Sequence, residues 1–175
     1  MEIQQDDGGW QCNKYSFGRG PDTNHSNPGP TLEALDAFRY SPLLNSDPRL
    51  DKAVQFLMWH WKFKKPVGPC QFGIGSLFSK TEFPFFRYNI FYFCYVLSFY
   101  KKARGDKRFK EALRELNQNL EDGRIVIENP NRQLSTMHLC RKGHPSDVAT
   151  ARYNEILDNM GRWIYAGWMT SKNKL

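Results

Sequence analysis

A chain of 175 residues and 20.5 kDa has room for one domain with a real core, and 40% hydrophobic content with 15% aromatic residues excludes a disordered polymer. A mean hydropathy of -0.66 argues against an integral membrane protein, while a net charge of +7 admits a polyanionic partner without requiring one. Cys12, Cys70, Cys94 and Cys140 are scattered, with no Cys-x-x-Cys pair and no leading apolar signal segment, which reads as reduced thiols in a cytoplasm.

Met1 to Pro30 is rich in Gly, Asn, Asp and Pro and is predicted to be loop. Thr31 is the expected cap of a short helix with Leu32, Leu35 and Phe38 on one face, ending before Pro42. Asp47-Pro48 pairs an N-cap acid with a first-turn proline, and Leu50, Val54, Leu57 and Trp61 recur at helical spacing to about Lys62. After a Gly- and Pro-containing segment, Pro66 to Pro84, an aromatic helix is predicted from Phe86 to about Arg104, apolar all round and therefore buried on most sides. The run Phe83 to Tyr100 has the length of a weak membrane span, yet Arg87, Asn89 and its tyrosines would be costly in hydrocarbon, so no span is expected.

Gly105-Asp106 breaks that helix and caps the next, whose stripe is Phe109, Leu113, Leu116 and Leu120. A long loop, Glu121 to Pro145, leads to a helix capped by Ser146 with Ala149, Tyr153, Ile156, Leu157 and Met160 inward. Trp163, Tyr165 and Trp168 beyond Gly161 are expected to pack as well. Lys62, Lys64 and Lys65 close one helix and Lys101, Lys102 and Arg104 another, where cations suit exposed carbonyls and the dipole; helix capping rather than nucleic-acid binding is the expectation.

Helices that follow a long loop recur about 55 and then about 60 residues apart, each followed by a short capped turn and a more amphipathic partner. This predicts a single all-α repeat domain, 1–175, with units near 6–62, 66–120 and 121–175, first helices inside and second helices outside. Two of the loops are alike. Gln4 to Trp10 fits Gln-x-x-x-Gly-x-Trp, and Asn119 to Ile125 keeps the spacing with Asn and Ile at its ends; the Pro66 to Pro84 loop has no copy. Gln bonds backbone, Gly permits the sharp exit and the ring packs on the next helix.

The Gln-Gly-Trp element, the Asp7-Gly8-Gly9-Trp10 loop ahead of Thr31-Leu32-Glu33-Ala34-Leu35, and the helix-pair period resemble the prenyltransferase and squalene-cyclase repeats of the terpenoid cyclase and protein prenyltransferase superfamily. Over most of Asp6 to Met160 the order of pieces, with Phe83 to Tyr88 and Gly143 to Thr150 opening two inner helices, is similar to bacterial prenyltransferase-like proteins of unassigned role. The resemblance implies a partial α/α toroid of about three helical hairpins with long loops entering the inner helices. A closed ring needs about six pairs, so the chain is expected to be a homo-oligomer if it is full length, or else the C-terminal part of a longer protein.

The same resemblance implies two chemistries, and neither has its residues. There is no Asp-x-Asp-Asp acid, and the residues two before Cys12, Cys70, Cys94 and Cys140 are Trp10, Gly68, Tyr92 and His138 rather than the Asp of a zinc-binding Asp-x-Cys. The nearest approach to a metal set is His138, Cys140 and His144 with Cys12 and His25, whose spacing is not that of a standard finger; no cofactor is expected, zinc being the one to test. The group Phe85, Phe86, Tyr88, Phe91, Tyr92, Phe93 and Tyr95 reads as core, part of which lines a cavity if a ligand is held. Trp10, Phe86, Arg87, Tyr88, Tyr92, Cys94 and Arg141 are the cavity candidates, and His60 is expected to be a packed or surface histidine. Two functional classes follow: a protein holding an isoprenoid-like apolar ligand on a concave aromatic face, and a noncatalytic module using that concavity for a peptide or partner protein.

Overall fold

The computed structural model describes residues 3–12, 25–41, 43–68 and 73–161. Regular structure there is mostly helical: α1 Pro28–Phe38, α2 Pro48–Phe63, α3 Ile90–Ser98, α4 Lys101–Arg104, α5 Lys107–Asn117 and α6 Asp147–Asn159. A two-stranded antiparallel hairpin, β1 Leu120–Glu121 and β2 Arg124–Ile125, and two short 3-10 turns, Arg132–Leu134 and His138–Cys140, lie in the loop ahead of α6. Among the described residues no helix is long and apolar enough to cross a membrane. Cys70, Trp163, Tyr165, Trp168 and the second helix of the third unit lie outside the described residues.

Three helix starts form as their caps dictate. The side chain of Asp47 accepts the Arg49 N–H at 2.8 Å with Pro48 in the first turn, Asp106 accepts that of Arg108 at 2.8 Å, and Ser146 accepts that of Ala149 at 3.3 Å. Three helix boundaries differ from expectation. The first helix begins at Pro28 rather than at Thr31, because the Thr31 hydroxyl is taken by the Trp10 N–H. The aromatic helix begins at Ile90 rather than Phe86, because the buried side chain of Asn89 accepts the N–H groups of both Phe91 and Tyr92. It ends at Ser98 rather than near Arg104: the Ser98 hydroxyl donates back to the Tyr95 carbonyl, a bond that competes with the helical ladder, and Tyr100 is drawn aside to donate to the Leu35 carbonyl of α1. Leu120, read as the end of an α5 stripe, belongs to β1.

Every residue of α3 is buried, since the helix is enclosed by α1, α4, α5 and α6. α1 also packs on α2, and α2 on α5, so sequential partners lie side by side and each apolar stripe meets another. Val54, Leu113 and Ile156 are fully buried at these contacts. The core centre is aromatic: Phe93 of α3 meets Trp61 at 6.0 Å, Phe78 edge-on at 5.9 Å and Tyr88 at 6.2 Å between ring centroids.

The two similar loops make the same contacts. In the first, Trp10 N–H donates to Thr31 Oγ1 at 3.0 Å and its carbonyl accepts Asn27 N–H at 2.8 Å; in the other, Ile125 N–H donates to Thr150 Oγ1 at 3.0 Å and its carbonyl accepts Ser146 N–H at 2.9 Å. Each loop is thereby tied to the first turn of the helix it enters. Gln4 Nε2 donates to the Gly8 and Arg49 carbonyls at 2.7 and 2.9 Å, and Asn119 Nδ2 to the Ser79 carbonyl at 2.9 Å. Gly8 has φ +93, and a Cβ there would lie 2.5 Å from the Lys52 backbone, so only glycine fits. The middle loop achieves a related tie without the motif, through a 2.7 Å bond from Ile90 N–H to the carbonyl of buried Phe78.

The middle and last loops interlock: Thr81 N–H donates to Glu128 Oε2 at 2.9 Å, and the N–H groups of Glu128 and Asn129 each reach the Thr81 carbonyl at 3.1 Å. Beside this knot Glu82 is only 1% exposed, its Oε1 has no partner, and Arg87 Nε lies 3.4 Å from Oε2. Burial pushes its carboxyl up, against the opposing charge of Arg87 and a bond from the Phe86 backbone. A carboxyl whose folded pKa exceeds its unfolded value favours the native state most at acid pH, and that contribution is lost as pH rises through the folded value. Glu82→Gln is therefore expected to raise the thermal midpoint at pH 7 by about 2 °C or more. The gap should close near pH 4, and equal midpoints at pH 7 would contradict the account.

Candidate functional site

α1, α3 and α6, the helices that follow the three long loops, converge with the segment Phe83 to Phe85 on one cleft of about 490 Å³. Its floor is α3 with its C-cap Phe99, so that Tyr92, Tyr95 and Phe99 stand at i, i+3 and i+7, one helical stripe. Phe85 lies over this floor, stacked on Tyr92 at 5.0 Å and tilted against Tyr95 at 5.3 Å, with Phe83 edge-on behind it at 5.3 Å.

The walls carry two charged pairs set by helical spacing. At the end of α1 its C-cap Arg39 pairs with Asp36 one turn back, and the guanidinium lies 5.0 Å from the Tyr95 ring centroid and 4.5 Å from that of Phe99. On α6, Arg152 pairs with Glu155. Each carboxylate also accepts a phenol from the floor: Tyr92 OH donates to Asp36 Oδ2 at 2.9 Å and Tyr95 OH to Glu155 Oε2 at 2.7 Å. Burial, with the carboxylates beside them, raises both phenols, Tyr95 to about 12 and Tyr92 further, so both stay neutral donors. The two acids and two arginines balance in charge. The arrangement suits contact with an apolar or aromatic body and hydrogen bonding at the rim; its acids are already engaged, which does not favour proton transfer to a substrate.

A larger hollow of about 800 Å³ lies at the turn end of α2 and α4, lined by Asp51, Gln55, Lys101, Lys102 and Asp106 among others. It has no aromatic floor beyond Phe99 and Tyr100, and Asp106 is held below the usual carboxylate range by its bonds to Arg108. The smaller cleft is the better site, because all three first helices build it and its buried polar groups are paired.

Of the sequence candidates, Tyr92 lines this cleft. Phe86 and Arg87 follow the lining segment but turn to solvent. Tyr88 packs on Phe78 at 5.0 Å and its hydroxyl meets buried His60 Nδ1 at 2.9 Å. Trp10 is in the core against Phe38 at 5.8 Å, and Cys94 is fully buried, where desolvation pushes its thiol well up. Arg141 is exposed after a 3-10 turn. Cys12 is half-buried, His25, His138 and His144 are exposed, and buried Cys140 donates its thiol to the Leu134 carbonyl at 2.8 Å; among the described residues no three His, Cys, Asp or Glu converge as metal ligands.

Asp36, Arg39, Tyr40, Phe99, Arg152 and Glu155 are lining residues that sequence reasoning did not single out. The signal for them was present as two opposite-charge pairs at i, i+3 and as the Tyr92, Tyr95, Phe99 stripe. It was masked because α3 is apolar on every side, which hides the face that meets a cleft. No family model, curated protein or solved structure matches the chain, so the functional reading rests on its own side chains.

Proposed function

We propose that the chain is a segment of an α/α toroid like those of the superfamily it resembles, and that it holds an isoprenoid-like apolar ligand in the cleft between α1, α3 and α6. The observation that carries this reading is the aromatic floor of Phe85, Tyr92, Tyr95 and Phe99 at a place where all three first helices meet. At about 490 Å³ the cleft falls within the roughly 300–1,000 Å³ span of small-molecule pockets. Binding rather than conversion is proposed, because Asp36 and Glu155 are each held by an arginine and a tyrosine. An open array leaves its end helices without neighbours, so association of copies belongs to the same proposal.

Native mass spectrometry of the chain with farnesol and with farnesyl diphosphate tests it. Retention of either is expected, with Phe85→Ala weakening it about fivefold or more through lost ring contact. No retention of either compound, or equal retention by the variant, overturns the reading. The four charged side chains of the rim favour a second reading, a peptide-binding module, which predicts that an extended peptide competes for the cleft and that Arg39→Ala weakens the peptide.

A further inference from the structure

The net charge is not spread over the molecule. Residues 47–65 and 101–118, which form α2, α4, α5 and their ends, hold twelve Lys or Arg and five Asp or Glu, a net +7 equal to that of the whole chain; the remainder holds thirteen of each sign. These helices pack against one another, so among the described residues most of the excess is gathered on one side of the fold, reduced where Asp6 and Asp7 join Asp51 in a hollow beside Trp59. Within it the C-terminal half of α2 turns two large rings outward: Trp59 is 47% and Phe63 56% exposed, stacked at 5.3 Å with their planes 6° apart.

The lysines here were expected to cap a helix. Instead Lys62 Nζ lies 5.1 Å from the Trp59 ring centroid and 5.6 Å from that of Phe63, and Lys64 Nζ lies 4.4 Å from that of Trp61 and 3.5 Å from Glu115. The end of α2 is closed by backbone, through the left-handed Lys64 whose N–H reaches the His60 carbonyl at 2.8 Å. Of the cations singled out, Arg104 makes a capping contact, to the Ser98 carbonyl at 2.9 Å. Lys62 thus lies along the two exposed rings, while Lys64 covers the buried Trp61.

We infer that this face, centred on Trp59, Phe63, Lys62 and Lys65, docks the protein onto an anionic bilayer surface. Exposed Trp and Phe suit the headgroup layer, and lysines laid along them keep their charged ends among anionic lipids. Charge complementarity alone would also admit nucleic acid. Base stacking, however, needs a free ring face, and Trp59 is already stacked by Phe63, with Lys62 and Arg108 5.1 and 5.4 Å from its ring centroid. The face lies on helices other than the three that build the cleft, so this inference stands whether or not the cleft holds a ligand.

The test is co-sedimentation of the chain with vesicles of phosphatidylcholine alone or with about one third phosphatidylserine, beside an oligonucleotide control. Binding to the anionic vesicles is expected, weakened strongly at about 0.5 M salt. Trp59→Ala with Phe63→Ala, and separately Lys62→Glu with Lys65→Glu, should each weaken it about tenfold. All four positions are exposed, and circular dichroism verifies that the variants fold. Failure to sediment with anionic vesicles, binding that both double variants retain, or oligonucleotide binding that the aromatic variant abolishes in place of vesicle binding would each overturn the inference.

Discussion

Phe93→Ala is expected to destabilise the protein by about 3–5 kcal/mol, read as a lower urea midpoint with an unchanged slope. Phe93 is fully buried at the middle of α3, in ring contact with Trp61 from α2 and with Phe78 and Tyr88 from the loop before α3. Truncation loses the transfer energy of the ring and leaves a space that rigid aromatic neighbours close poorly. Phe93→Leu keeps most of the volume and is expected to cost about 1–2 kcal/mol. An alanine variant within about 1 kcal/mol of the parent would mean that this aromatic centre is not the core.

Thr31→Val and Thr150→Val come next, and they test the repeat itself. Each swap keeps the side-chain shape and removes the acceptor of one loop N–H, that of Trp10 or of Ile125, leaving a donor stranded at a cost of about 1–3 kcal/mol. Because the two hydroxyls serve different loops and share no partner, the double variant should lose the sum of the two within about 0.5 kcal/mol. If one replacement is costly and the other neutral, the two loops are alike in sequence spacing and not in energetics. Hydrogen exchange at the Trp10 and Ile125 amides gives an independent readout, since each should lose protection only in its own variant.

Element type was legible where one local interaction decides it. Asp47-Pro48, Asp106 and Ser146 each supply an oxygen to an N–H two or three residues on, a bond that needs no help from distant chain, and the α2, α5 and α6 starts fall there. The Gln4 to Trp10 and Asn119 to Ile125 spacing was legible for the same reason, as a short backbone turn with its glycine at positive φ. The C-terminal end of α3 was not, whereas its start rests on a local cap, Asn89, that the surrounding aromatic run obscured. Ser98 and Tyr100 stop that helix through bonds that involve α1 and α6, with Leu35 and Asn159 as partners more than sixty residues away along the chain.

The candidate site divides in the same way. An aromatic α3 could be read from residues 90–99, but an apolar run on all sides gives no direction, and Tyr92 and Cys94 look equivalent in it. Packing separates them: Cys94 faces the core, while Tyr92 faces Asp36 and Phe85.

What the sequence determined by itself is the helical kind of its main elements, the three capped starts and the paired loops, because near-neighbour hydrogen bonds and apolar spacing are local properties; it did not show that the aromatic helix divides into α3 and α4. Only the tertiary structure decided which face of α3 lines a cleft, that Arg39 and Arg152 meet there with their carboxylates, and that Lys62 lies over two exposed rings. Those outcomes depend on which distant helix lies opposite, and that is set by the summed burial of many stripes rather than by any one residue.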